Sequence, residues 1–265
     1  MIERVHDPEV NSPDAEQPFV LIPVTAEDVA RRNFRVRLTA AVLILAALAI
    51  AGYLYKRSMD PLNAKESYDA GVRLFQIARY NQAILSFDRA VGLQPLLVDA
   101  YLMRGRSYVG EAKPELALPD FAKVIELRPS DPVGWVARGK AYLELNNFEA
   151  AISDASQAIS VDPKAATAYN LRGAAVRKSG KPEKALEDFN RAVELSPTAN
   201  NYYERGATYQ MLGEHRRAIA DFDKVIEIIP DLASPFFARA ESRRAIGDTE
   251  EAERDHLRGR ILDGQ

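Results

Sequence analysis

Cysteine is absent from the sequence. That excludes disulfide staples, cysteine-ligated zinc, iron–sulfur clusters and thiol catalysis, and it leaves the redox compartment open. Histidine is scarce. His6, His215 and His256 lie far apart along the chain, and a metal site needs several convergent ligands, so they read as solvated or packing side chains and no metal is expected. An excess of one charge sign is also missing. The net charge is −3 over 265 residues, which gives no general reason to expect nucleic-acid binding. No phosphate loop, paired catalytic-carboxylate motif or zinc spacing occurs. The chain therefore reads as no enzyme, with no cofactor and no small-molecule substrate.

What is present is unevenly distributed. Residues 1–30 hold seven acids against one arginine, with Pro8, Pro13, Pro18 and Pro23 among them. A segment like this buries too little apolar surface to offset its ordering entropy. Residues 1–35 are therefore expected to be a disordered tail. The basic cluster Arg31, Arg32, Arg35 and Arg37 leads into residues 38–55, LTAAVLILAALAIAGYLY, which carry no charge and no proline. As a helix these residues rise about 27 Å, close to the hydrocarbon thickness of a bilayer. Tyr53 and Tyr55 stand at one edge, where amphipathic rings favour the lipid–water interface. Residues 36–57 are expected to form one transmembrane helix. Thirty-seven residues precede the apolar run, a long n-region for a cleaved signal peptide. Four arginines before the run against Lys56 and Arg57 after it point to a cytoplasmic N-terminus. Asp60-Pro61 is expected to break the helix, because the residue before proline is pushed out of the α region, leaving a linker over residues 58–63.

The remainder is periodic. Pro95, Pro129, Pro163 and Pro197 are each 34 residues apart, and Pro230 follows 33 later. Aligned on these prolines, six units start at Ala64, Val98, Pro132, Ala166, Ala199 and Ala233. One position repeats as Gly71, Gly105, Gly139, Gly173 and Gly206, and another as Ala83, Ala117, Ala151, Ala185, Ala218 and Ala252. Phe87, Phe121, Phe189 and Phe222 share a third, with Ala155 the departure. Tyr101, Trp135, Tyr169, Tyr202 and Phe236 open five units. Small residues let two helices approach closely, and aromatics fill the space between layers. The closing proline cannot continue a helix. Gly180, Gly213 and Gly247 fall in turns that want a left-handed residue.

From residue 64 onward this pattern resembles the tetratricopeptide repeat (TPR). The resemblance implies an all-α fold: a right-handed α-solenoid of about six antiparallel helix pairs over residues 64–265, preceded here by the transmembrane helix. It also implies a concave groove that binds peptides or partner proteins. Unit one departs from the pattern at Ser67, and unit six at Ala240 and His256. Unit six also carries a densely charged second helix, from Glu250 to Arg260, and reads as a terminal cap, since the last repeat of a solenoid must face water.

Two positions vary together. Arg104, Arg138, Arg172, Arg205 and Arg239 occupy one, and Asp120, Asp154, Asp188, Asp221 and Asp255 another, in the same five units. Unit one has Ala70 and Ser86 instead. Joint presence and joint absence point to an Arg–Asp pair inside each unit, because a half-buried guanidinium needs a carboxylate. An anion track of arginines is the competing reading.

The family's groove positions correspond here to Tyr68, Val72, Phe75, Leu102, Arg106, Val109, Val136, Lys140 and Leu143 in units one to three, an apolar strip interrupted by two cations. In units four and five the strip turns polar, with Asn170, Arg177, Asn200, Tyr203 and Gln210. Family members that grip a chaperone's C-terminal carboxylate use a lysine and an asparagine four residues apart. Those positions hold Tyr68 and Val72, so that clamp is missing. The expected function is a single-pass, membrane-anchored scaffold for protein or peptide partners, its repeats in the periplasm beyond a bacterial inner membrane. A receptor with cytosol-facing repeats is the alternative.

Overall fold

In the computed structural model, which describes residues 25–264, the chain is helical throughout and carries no strand among the described residues. It divides between Asp60 and Pro61 into two units. Its helices are α1 (Ala26–Gln76), α2 (Tyr80–Leu93), α3 (Val98–Gly110), α4 (Pro114–Leu127), α5 (Pro132–Glu144), α6 (Phe148–Val161), α7 (Ala166–Lys178), α8 (Pro182–Leu195), α9 (Ala199–Met211), α10 (His215–Ile228), α11 (Ala233–Ala245) and α12 (Thr249–Leu262).

Two expectations about the first sixty residues need correction. The tail boundary at residue 35 is too late: α1 begins at Ala26, and residues 1–24 lie outside the described region. Glu27 sits in its first turn, where a carboxylate meets the positive end of the helix dipole. The linker over residues 58–63 is helical as well, because α1 runs through Pro61. A proline removes one i→i−4 hydrogen bond, but its φ of about −65° is itself helical, so a segment with strong helix formers on both sides continues through it. Within Val29–Gln76 the helix is long and apolar enough to cross a membrane, its most apolar 18 residues having mean hydropathy 2.2 and no burial.

From Ala64 the chain folds as six helix pairs, the last turns of α1 serving as the first helix of unit one. Pro95, Pro129, Pro163, Pro197 and Pro230 all fall between units. Inside each unit the repeated glycine meets the repeated phenylalanine. A Cβ on Gly71 would stand 2.6 Å from the Phe87 ring, one on Gly105 2.6 Å from Phe121, and one on Gly206 3.0 Å from Phe222. Phe87, Phe121, Phe189 and Phe222 are all buried, as are the six repeated alanines. Where Ala155 replaces the ring, Leu171 of the next unit fills the place over Gly139.

The turn inside each pair needs one left-handed residue. Gly180, Gly213 and Gly247 supply it at φ of 86°, 74° and 84°. In the first three units the same position is Ala78, Ala112 and Asn146, at φ of 56°, 55° and 57°.

First helices of neighbouring units touch one another, α3 with α5, α5 with α7, α7 with α9 and α9 with α11. No two second helices do so among the described residues. The first helices thus lie on the shorter, inner side of a solenoid.

Candidate functional site

The inner side carries a cavity of about 510 Å³ across units one to three. Phe75 at the end of α1, Val109 on α3 and Val136 on α5 give it an apolar lining, and Arg106 and Lys140 stand in the same wall. Phe75 meets Tyr80 edge-on, with ring centroids 5.3 Å apart. Tyr80 fits only because residue 110 is glycine, where a Cβ would lie 2.9 Å from the ring. Among the described residues neither Arg106 nor Lys140 forms an ion pair. Arg106 Nη1 stands 4.0 Å from Met103 Sδ. Glu144, one helical turn after Lys140, also faces the cavity. Burial pushes its carboxyl above the ordinary glutamate range, against the pull of Lys178.

Five of the nine expected groove residues therefore come together: Phe75, Arg106, Val109, Val136 and Lys140. The others do not line the cavity. Tyr68 packs against the cluster of Ala90, Val91 and Ala100, its ring 5.8 Å from Phe87. Leu102 packs on Ala117, Phe121 and Ala141, and Leu143 on Ala174, Ala185 and Phe189. Val72 is half-buried on α1. Tyr80, Val133, Glu144 and Thr167 were missed. They stand at helix ends or on the neighbouring unit, where a rule written for one helix does not reach.

In units four to six the same side is closed by hydrogen bonds. Asn170 Nδ2 donates to Asn201 Oδ1 at 2.9 Å, and Asn201 Nδ2 donates to the Ser196 carbonyl at 2.8 Å. Arg177 donates to the Glu204 carbonyl at 3.0 Å, to Thr208 Oγ1 at 3.1 Å and to the Glu204 carboxylate. Gln210 Nε2 donates to the Ala238 carbonyl at 3.2 Å and to Glu241 at 3.0 Å.

The repeated arginines and aspartates meet in a two-pronged arrangement in five units. Arg104 Nε donates to Asp120 Oδ2 at 2.9 Å while Nη2 donates to Oδ1 at 2.5 Å. Arg138 with Asp154, Arg172 with Asp188, Arg205 with Asp221 and Arg239 with Asp255 repeat this at 2.5–2.9 Å. Each guanidinium also lies over the aromatic that opens its unit, 5.2–5.8 Å from Tyr101, Trp135, Tyr169, Tyr202 and Phe236. The carboxylate hydrogen bond raises the pKa of Arg104, Arg138, Arg172 and Arg205. A third bond, not foreseen, crosses into the preceding unit. Arg104 Nη1 donates to Asp88 at 2.6 Å, Arg205 to Asn190 at 3.1 Å and Arg239 to Asp223 at 2.5 Å. A guanidinium bonded on all sides has little left for a bound anion. Among the described residues, no group of three His, Asp or Glu side chains converges as a metal site would require.

A solenoid of paired helices with an open inner groove is the architecture of a protein-interaction scaffold. The tetratricopeptide repeat model matches residues 68–132, 136–200 and 199–232, more than half of the chain, which therefore belongs to the tetratricopeptide-repeat family. Among solved structures, the chain is similar to a tetratricopeptide repeat protein from Parabacteroides merdae: 21% identity, 89% of this chain and 92% of that one covered, TM-score 0.64. A thermophilic TPR protein of Thermus thermophilus shares 22% identity over 69% of this chain and 98% of its own, TM-score 0.60. YrrB, a TPR protein with an unusual peptide-binding site, shares 19% over 68% and 93%, TM-score 0.51. At these identities the likeness is one of fold. No curated protein matches the chain.

Proposed function

We propose that this chain is a membrane-anchored scaffold that holds protein segments in the groove of units one to three. The observation that carries the reading is the pairing of an apolar lining with two cations that have no ion partner, on a face that is elsewhere closed by its own hydrogen bonds. Phe75, Val109 and Val136 offer places for apolar anchors. Arg106 and Lys140 favour a carboxylate between those anchors and set the register of the bound segment. YrrB, with its peptide-binding site on the same fold, lends the reading support by analogy of fold. Residues 36–57, inside α1, serve as the anchor. The four arginines ahead of them favour a cytoplasmic tail and repeats in the periplasm of a bacterial inner membrane.

The test is peptide selection on the full-length protein in detergent micelles, with the wild type beside Arg106→Glu/Lys140→Glu. Both changed side chains are exposed, so the fold should survive, and circular dichroism checks that it does. The wild type should enrich segments with Asp or Glu between hydrophobic residues, and the charge-reversed variant should shift the enrichment toward Lys and Arg. Identical enrichment by both proteins, or none by either, sinks the groove assignment. A fluorescent reporter that matures only in the cytosol, fused after residue 265, should stay dark; bright signal would place the repeats in the cytosol.

A further inference from the structure

The two ends of the solenoid depart from the repeat at the same register. Inside the chain four of the five boundaries between units carry the same polar contact. The arginine at the seventh position of one unit reaches the twenty-fifth position of the unit before it, to Asp88 at 2.6 Å, Ser156 at 3.5 Å, Asn190 at 3.1 Å and Asp223 at 2.5 Å. At the second boundary that position is Ala122. On the outward face of unit one the seventh position is Ala70, the opening aromatic is Ser67, and Ser86 replaces the aspartate. A cavity of about 600 Å³ lies there, lined also by Asn63, Glu66, Leu85, Arg89 and Leu93. On the outward face of unit six the twenty-fifth position is Leu257, and one turn on is Ile261, where units one to five carry Gly92, Glu126, Ser160, Glu194 and Glu227.

A cap should turn a polar face to water. Leu257 and Ile261 are instead 58% and 57% exposed, at the positions a further unit would cover. One end thus has small residues where the interior has arginine and a ring. The other has large apolar residues where the interior has small or acidic ones. These are the two halves of one repeated interface, rewritten from a polar pair into an apolar knob and a hollow of mixed lining.

We propose that copies of this chain associate head to tail, Leu257 and Ile261 of α12 in one copy entering the Ser67, Ala70 and Ser86 hollow of the next. The contact continues the unit-to-unit interface already repeated five times in the chain. It is heterologous, so it closes into a ring or runs on as an open row. It is separate from the groove and does not depend on what the groove binds.

The absence of native cysteine makes the test direct. Full-length Ala70→Cys and Leu257→Cys chains, mixed in detergent micelles and oxidised, should form a disulfide-linked heterodimer, and a chain carrying both substitutions should form a ladder of linked species. Cross-links only between identical substitutions, or none at all, overturn the proposal. Light scattering gives a second readout. The wild type should exceed the mass of one chain and Leu257→Asp should fall to a single chain. Ala70→Arg combined with Leu257→Asp, which rebuilds the interior type of polar boundary, should recover the larger mass. A wild type that stays a single chain, or a Leu257→Asp variant that is folded by circular dichroism yet as large as wild type, also overturns it.

Discussion

The twelfth position of the first helix is Phe75, Val109 and Leu143 in units one to three, and Arg177 and Gln210 in the next two. The polar pair is spent on the fold, since Arg177 and Gln210 each donate into the following unit. In the first half Phe75 and Val109 line an open cavity, beside Arg106 and Lys140, which form no ion pair among the described residues. Two halves built on one repeat thus differ: one ties units together through its inner face, and the other leaves that face open. The inner turns follow the same division, with glycine at the left-handed position in units four to six and Ala78, Ala112 and Asn146 in units one to three.

The largest effect should come from a feature both halves share, which calibrates the comparison. Arg172→Ala leaves the nearly buried Asp188 carboxylate without its two-pronged partner. It should destabilise the domain by about 1–3 kcal/mol, the arginine's own partial exposure keeping the figure below that of a fully buried pair. A double-mutant cycle with Asp188→Ala measures the coupling by denaturant melts. Coupling below about 0.3 kcal/mol would mean the pair contributes no more than a surface contact.

Arg177→Ala against Arg106→Ala/Lys140→Ala separates the halves. The first breaks bonds to Glu204 and Thr208 and should cost about 1–2 kcal/mol of stability while leaving peptide capture unchanged. The second removes exposed, unpaired charges. It should change stability by no more than about 0.5 kcal/mol yet weaken capture by roughly threefold to tenfold. Equal stability losses, or capture lost in the first variant alone, would erase the distinction.

Glu144 gives the groove a pH signature. Its carboxyl is raised by burial, so the folded state holds that proton more tightly than the unfolded chain does. The stabilising term is complete below the unfolded value of about 4.5. It is lost as pH rises through the higher folded value. Glu144→Gln should therefore melt above wild type at neutral pH, and the gap should close on acidification into that window. A gap that does not change with pH would locate its cause outside this titration.

How far the sequence reaches depends on whether a feature repeats in identity. The Gly71 and Phe87 kind of contact, and the arginines paired sixteen residues ahead, recur with the same residue types and align themselves. The third arginine bond was invisible because its acceptor changes from Asp88 to Ser156, Asn190 and Asp223, with Ala122 offering none in unit two, while only the position is kept. The groove was half legible. Positions nine and twelve reach the cavity at Arg106, Val109 and Lys140, but Tyr68 and Leu102 at position five turn into the packing around Phe87 and Phe121. Periodicity fixes which side of a helix a residue occupies, not which part of that side the partner helix covers. The helical linker was misjudged because Asp60-Pro61 was weighed locally, while helix propagation is cooperative across it.

The smallest effect lies in the inner turns, and it tests whether the first three units carry strain that the last three avoid. Ala112 holds φ at 55°, a region that costs an L-residue with a Cβ roughly 1–2 kcal/mol. Ala112→Gly removes that cost but enlarges the conformational freedom of the unfolded chain, which offsets about 0.5–1 kcal/mol. The net gain should be a few tenths to about 1 kcal/mol, read as a rise in denaturant midpoint at constant m-value. Asn146→Gly should gain less, because a short polar side chain tolerates the left-handed region better than alanine does. Gly213→Ala, at φ 74°, should lose about what Ala112→Gly gains. No neighbouring atom lies within 4 Å of a Cβ built at Gly213, so a loss there reports backbone strain and not a clash. If Ala112→Gly lowers stability while Gly213→Ala leaves it unchanged, the two halves of the solenoid do not differ in their turns, and the division between them rests on the inner face alone.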